Sequence, residues 1–199
     1  MSESKEMFTQ VINIDVARRN ERNGHRSKVL WFTGLPCSGK TTIANKVEEI
    51  LFEKGVYTFI LDGDHLRDGL NAGLGFSEVD RKENLRRAAE VAKLFMDSGV
   101  IVLCAFVSPS IKDRAMVKEI VGDDNFIEIF VDTPLDLCEL RDVKGLYKKA
   151  RFGEILNFTG IGAPYEIPPS PHLRITTENK SINDTAREII DYLLPKISI

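Results

Sequence analysis

The sequence predicts an α/β protein with a parallel β-sheet of about five strands flanked by helices. Three observations carry this expectation. Short β-rich runs recur along the chain and most are continuously apolar, as strands covered on both faces are. Helical patterns with one apolar face lie between them. A glycine-rich turn joins the first run to the first helix, and alternating strand and helix implies right-handed crossovers.

The runs are "KVLWFTG" (28–34), "VYTFILDG" (56–63), "VIVLCAFVS" (100–108), "FIEIFVDT" (126–133) and "LRITT" (173–177). A helix is predicted over 41–54, where Ile43, Val47, Ile50 and Leu51 share a face. A second covers 79–97 with Leu85, Ala88, Ala92 and Phe95. A third covers about 183–194, with Ile189, Ile190 and Leu193 apolar and Asn183 or Asp184 as its cap. Strand order does not follow from the pattern. Residues 1–27, with "ARRNERNGHR", read as an extended or partly helical arm before a domain at 28–199. Residues 141–171 are charged first and then rich in Gly and Pro, which reads as a lid.

The 199 residues suit one domain with a substantial core. Hydrophobic residues make up 43 % and charged residues 29 %, ordinary for a globular protein in water. Lys and Arg number 27 against 30 Asp and Glu, a net charge of −3. That balance speaks against a polyanion-binding surface, so no nucleic-acid partner is expected. No apolar run approaches the roughly 20 residues that span a bilayer. The opening "MSESKEMFTQ" lacks the apolar core of a secretory signal. A cytoplasmic protein without membrane contact is expected. Cys37, Cys104 and Cys138 are spaced for neither a disulfide framework nor a metal cluster, and read as reduced thiols.

The chemistry starts at "WFTGLPCSGKTTIA" (31–44), where Gly34, Gly39, Lys40 and Thr41 follow the G-x-x-x-x-G-K-[ST] spacing of a phosphate cradle. The glycines turn backbone N–H groups toward phosphate oxygens, and the helix N-terminus adds partial positive charge. Ser38 and Thr42 belong to the same loop. Lys40 is expected on the β- and γ-phosphates of ATP, and the Thr41 hydroxyl on Mg²⁺.

In "ILDGDHLRDGL" (60–70), Asp62 and Asp64 close the second strand, where open α/β sheets form their ligand crevice. One carboxylate there can help hold Mg²⁺, directly or through water, and one can take a proton from an attacking hydroxyl. No guanine-reading N-K-x-D occurs, so a hydroxyl acceptor fits better than a GTPase switch. Arg67, Arg81, Arg86 and Arg87 crowd the same region and point to an anionic acceptor. Phe76, in a polar stretch, reads as a core plug or a base-stacking platform.

Five stretches together resemble the adenylylsulfate kinase (APS kinase) family: "FTGLPCSGKTTIA", "LDGDHLRDGLNAGLGFSEVDRKENLRRAAEVAKLF", "AFVSP", "VDTPLDLCELRDVKGLYKKARFGEILNFTGI" and "PYEIP". The resemblance spans about 25–195. It implies a P-loop kinase fold, usually dimeric. It also implies transfer of the γ-phosphate of ATP to the 3′-hydroxyl of adenosine 5′-phosphosulfate. By resemblance Asp62 and Asp64 are the acidic pair near Mg²⁺ and the acceptor hydroxyl. Arg67, Arg81 and Asn84 hold the acceptor's phosphosulfate and ribose, and Phe76 and Phe158 sandwich its adenine. Val107 and Ser108 line that pocket. Lys144 belongs to the lid over the phosphates, and Arg141 lies near the donor adenine. A homodimer is implied on the same ground, and docking to a sulfate adenylyltransferase partner stays open. The family's cradle usually carries Ser-Gly where this chain has Pro36-Cys37. Ser110 also stands where an aromatic is common. On the residues alone, a kinase of another small metabolite and a nucleotide-binding regulatory module remain open.

Overall fold

A computed structural model describes residues 13–199 of the chain. Its five strands are β1 (Val29–Thr33), β2 (Thr58–Asp62), β3 (Ile101–Ala105), β4 (Phe126–Asp132) and β5 (Leu173–Thr176). They form one parallel sheet in the order β2-β3-β1-β4-β5. The predicted runs and the strands coincide to within a few residues.

The period-two geometry of a strand sorts β1 onto two faces. Leu30 and Phe32 join Leu103 and Ile129 on one, and Val29 and Trp31 join Val102 and Cys104 on the other. The first face is covered by α2 (Lys40–Glu53) and α8 (Ile182–Ile197), through Val47, Leu51, Ile189 and Leu193. The second is covered by α4 (Glu78–Asp97) and α5 (Ile111–Val121), through Leu85, Ala88, Ala92 and Val117. Strand β2 lies at an edge, so its apolar run is only partly covered. There Phe59 is exposed and stacks on Phe95 at 4.6 Å between ring centroids.

Several elements differ from the sequence expectation. Helix α5 was not expected, because buried Asp113 and Arg114 interrupt its apolar stripe. The short helices α3 (Gly63–Asp68), α6 (Leu135–Arg141) and α7 (Leu146–Arg151) are too brief to show a period. Helix α8 is capped by Ser181, not by Asn183 or Asp184. The Asp184 N–H donates to Ser181 Oγ at 3.1 Å, and the Ser181 hydroxyl donates back to the Asp184 carboxylate at 2.6 Å.

The arm expected over 1–27 lies partly outside the described residues. Within them it forms α1 (Val16–Asn23) and then joins the domain. Asn23 donates to the Gly99 carbonyl at 3.0 Å, and the Arg26 N–H donates to the Ile197 carbonyl at 2.7 Å.

Strand β1 is followed in sequence by β2 and β3 on one side and by β4 and β5 on the other. Ligands of open α/β sheets bind at such a reversal, beyond the carboxyl ends of the strands. The loop from β1 to α2 is therefore central, with the ends of β2, β3, β4 and β5 around it.

Leu103 is fully buried between β1 and β2, packed on the side of α2 and α8. Leu103→Ala should cost about 2–5 kcal/mol of unfolding free energy, read as a lower urea midpoint at unchanged m-value.

Candidate functional site

The cradle is shaped by close approaches that only certain residues permit. At Gly34 a Cβ would stand 2.6 Å from the Val131 carbonyl, so no larger residue fits between β1 and β4. Gly39 takes φ +103 as α2 begins. Cys37 takes φ +59, a left-handed conformation that costs a non-glycine residue about 1–2 kcal/mol. The loop is braced from outside. Thr133 at the end of β4 donates to the Ser38 carbonyl at 2.9 Å, and the Tyr147 hydroxyl donates to the Pro36 carbonyl at 2.9 Å.

Lys40 is buried within the loop, where its ammonium donates to the carbonyls of Gly34 and Leu35 at 3.0 and 2.7 Å. Burial pushes its pKa down to about 8, against a smaller upward pull from Cys138, Cys37, Asp62 and Asp64. The Thr41 hydroxyl, in the first turn of α2, donates to Asp62 Oδ2 at 2.7 Å. The other Asp62 oxygen accepts the Asp64 N–H at 2.9 Å and caps α3. Asp64 is ion-paired with Lys144, which arrives from the loop after α6. The two acids are thus divided: Asp62 faces the cradle and Asp64 faces the lid.

Beyond Asp64 lie two aromatic rings. Phe76, 69 % exposed, stands on the loop before α4, with the Arg67 guanidinium 4.4 Å from its ring centroid. Arg67 also donates to the Gly75 carbonyl at 2.9 Å. Phe158 is half-buried, and the Tyr147 ring meets it edge-on at 5.0 Å. Arg81 joins the two loops. It donates to the Phe76 carbonyl at 3.0 Å, to the Asn157 carbonyl at 2.8 Å and to the Thr159 hydroxyl at 2.9 Å. Asn84 is buried beside it, its carboxamide oxygen accepting from Asn71 at 3.0 Å.

The end of β3 supplies Val107 and Ser108. Ser108 is buried, with φ +38, and its Oγ accepts from Trp31 Nε1 at 3.1 Å. Its carbonyl accepts from Arg114 at 2.7 Å. Arg114, 3 % exposed, is ion-paired with Glu128 at 2.9 Å and also donates to the Glu166 carbonyl. On the far side of the cradle, Arg141 donates to the Ser38 carbonyl at 3.2 Å and to the Thr177 hydroxyl at 3.0 Å.

One cavity of about 700 Å³ gathers nearly all the residues expected from sequence. Gly39, Lys40, Thr41, Thr42 and Arg141 line one end. Asp62, Asp64 and Lys144 stand between, and Arg67, Phe76, Arg81, Asn84 and Phe158 line the other end with Val107 and Ser108. Gly34 and Ser38 lie behind the loop rather than on the cavity wall, and shape it from there.

Arg86 and Arg87, read from sequence as part of the anion cluster, instead pair with Glu83 at 2.8 and 2.7 Å. Hydrogen bonds from these two guanidiniums hold the Glu83 carboxyl down to about 2. The segment expected as a lid is partly anchored, with Tyr147 and Thr159 buried. Sequence reasoning missed Tyr147, Arg114 and Thr177. Thr177 had a signal, since it ends the fifth predicted strand. Tyr147 acts through a contact distant in sequence, and Arg114 is a buried charge on a helix whose apolar stripe it interrupts, so no local pattern reports either.

The family model for adenylylsulphate kinase matches residues 26–176. The chain belongs to the adenylylsulphate kinase family. An adenylyl-sulfate kinase of Oceanobacillus iheyensis is 52 % identical over 196 residues, 98 % of each chain. That of Pseudomonas entomophila is 53 % identical over 178 residues, covering 89 % of this chain and 86 % of its own. The Mycobacterium tuberculosis APS kinase CysC, solved in complex with AMPPNP and APS, superposes with a TM-score of 0.82. It is 52 % identical, and the match covers 85 % of this chain and 98 % of that one. A gluconokinase of Sinorhizobium meliloti, 14 % identical with a TM-score of 0.56, shares the fold. No helix among the described residues is long and apolar enough to cross a membrane.

The lowered pKa of Lys40 yields a linkage with a defined sign. Holding the ammonium buried costs stability in full below pH 8, and the cost disappears between pH 8 and the ordinary lysine value. An anion in the cradle favours the protonated form. AMPPNP affinity should therefore fall between pH 7 and pH 9, with net proton uptake at pH 9. Calorimetry in two buffers of different ionisation enthalpy reads both, and equal heats in the two buffers would separate Lys40 from the phosphates.

Proposed function

We infer that the chain transfers the γ-phosphate of ATP to the 3′-hydroxyl of adenosine 5′-phosphosulfate, giving ADP and 3′-phosphoadenosine 5′-phosphosulfate. The observation that carries this is one cavity lined by a phosphate cradle, by Asp62 and Asp64, and by two phenylalanines, Phe76 and Phe158. The donor's phosphates lie against the cradle N–H groups and Lys40. The acceptor's adenine stacks between Phe76 and Phe158, which offer flat apolar faces to a flat ring. Arg67 and Arg81 bring positive charge to an acceptor that carries a phosphosulfate.

Asp64 is the residue for the acceptor hydroxyl: it takes the proton as the oxygen attacks phosphorus and the bond to the ADP oxygen breaks. Lys144, paired with Asp64, is placed to follow the phosphoryl group as negative charge spreads over its oxygens. Thr41 and Asp62 suit Mg²⁺, being hard oxygen donors side by side next to the phosphates. Bound there, the ion would neutralise phosphate charge, and Arg141 would border the donor's base.

For the homodimer expected from the resemblance, the β2 edge of the sheet, where Phe59 is exposed, is the face to test. The acceptor is itself formed by adenylyl transfer to sulfate, so a sulfate adenylyltransferase is the partner to test by co-purification. Use of ATP accords with a cytoplasmic location.

A steady-state assay with Mg²⁺-ATP tests the reading. ADP and the 3′-phosphorylated product should form with adenosine 5′-phosphosulfate and not with AMP, gluconate or shikimate. Turnover of another acceptor in its place would overturn it. Lys40→Ala should nearly abolish turnover in the same assay, and retention of most activity would remove that ammonium from the mechanism. Phe76→Ala should raise the KM for the acceptor by about fivefold to a hundredfold, the range of one lost base stack, while the KM for ATP stays put.

A further inference from the structure

The Pro36–Cys37 peptide is the least comfortable part of the cradle. Cys37 holds φ +59, which glycine adopts freely and cysteine does not. Proline at position 36 has its own φ fixed by the ring and contributes no N–H. The orientation of this peptide therefore has to be imposed from outside the loop.

The structure contains one group that imposes it. The Tyr147 hydroxyl, from α7, donates to the Pro36 carbonyl at 2.9 Å. Tyr147 is 1 % exposed, and its ring is fixed edge-on against Phe158. In a trans peptide the carbonyl and the following N–H point to opposite sides, and no cis peptide occurs among the described residues. Anchoring the Pro36 carbonyl on Tyr147 thus turns the Cys37 N–H the other way. That N–H has no protein acceptor among the described residues, and both Pro36 and Cys37 line the cavity. Burial also keeps the phenol protonated, so it remains a donor across the working pH range.

We propose that Tyr147 is a positioning residue for nucleotide binding: its hydroxyl holds the Pro36 carbonyl outward and so aims the Cys37 N–H at the donor's phosphates. Tyr147 takes over the conformational role that a glycine at position 37 would fill unaided. This rests on the reading of the cradle as the ATP site and is independent of the acceptor.

Tyr147→Phe removes the hydroxyl and keeps the ring against Phe158. AMPPNP affinity, measured by calorimetry without acceptor, should fall between about twofold and tenfold, the worth of one net hydrogen bond. The KM for ATP should rise in step, while the KM for the acceptor and the melting temperature stay near wild type. Adding Cys37→Gly to Tyr147→Phe should restore most of the lost affinity, because glycine needs no clamp at positive φ. Unchanged AMPPNP affinity in Tyr147→Phe would overturn the proposal. So would a drop in melting temperature with both KM values raised alike, the result of a merely structural role. Failure of Cys37→Gly to restore affinity would overturn it as well. A wrong acceptor assignment would leave all the AMPPNP results intact, so the two readings fail separately.

Discussion

The site is organised around a buried ammonium. Lys40 sits inside its own loop with carbonyl and hydroxyl oxygens as near neighbours, and burial pulls its pKa down to about 8. A cation in that setting is costly unless an anion meets it. The two acids nearby do not fill that role by direct contact. Asp62 is taken by Thr41 and by the Asp64 N–H, and Asp64 is taken by Lys144. Holding the acids off leaves the ammonium to a phosphate. The sheet order makes this arrangement available, because the β1–α2 loop lies at the reversal and every other strand end can contribute a residue around it.

A second dependence lies at the acceptor end. Phe76 and Phe158 come from segments about eighty residues apart, and neither loop is held in place by the sheet. One guanidinium, that of Arg81, fastens both loops through carbonyls on each side. Three of its five N–H groups are thereby used within the protein. The resemblance gave Arg81 the acceptor's anion as its ligand. The geometry adds a prior task, which is to set the spacing of the two rings.

Much of this was legible in the sequence because it depends on local rules. Apolar runs reported the strands, since strands buried on both faces have no polar side to alternate. The spacing of Gly34, Gly39, Lys40 and Thr41 reported the cradle, since phosphate geometry fixes it. Asp62 was legible because strand ends point into the crevice, whereas Asp64, read as closing the same strand, lies in the first turn of α3. Charge clusters misled. Arg86 and Arg87 share the helix with Arg81, yet Glu83 stands three and four residues away and claims both. Helix α5 was hidden because Arg114 and Asp113 face inward, where the helical stripe should be apolar. Sequence patterning assumes that charge faces water, and a buried ion pair such as Arg114–Glu128 breaks that assumption.

The residues that were not legible share a physical character. Among the described residues, four non-glycines hold positive φ: Cys37, Ser108, Asn157 and Asn179. Cys37 and Ser108 line the cavity, Asn157 precedes its lining residue Phe158, and Asn179 stands in sequence between Thr177 and Lys180, which also line it. Strained backbone gathers at functional sites when the surroundings over-determine it. Asparagine enters this region at little cost, so two of the four need no special support. Cysteine and serine do not, and both positions are clamped by buried side chains. Tyr147 holds the peptide before Cys37, while Trp31 and Arg114 hold Ser108 on both its side chain and its carbonyl. The loop after β1 thus owes its shape to a buried donor 111 residues away on α7, and the loop after β3 to one 77 residues back on β1 and one six residues on in α5. A reading confined to neighbours in sequence finds the atoms that touch substrate, and misses the donors that aim them.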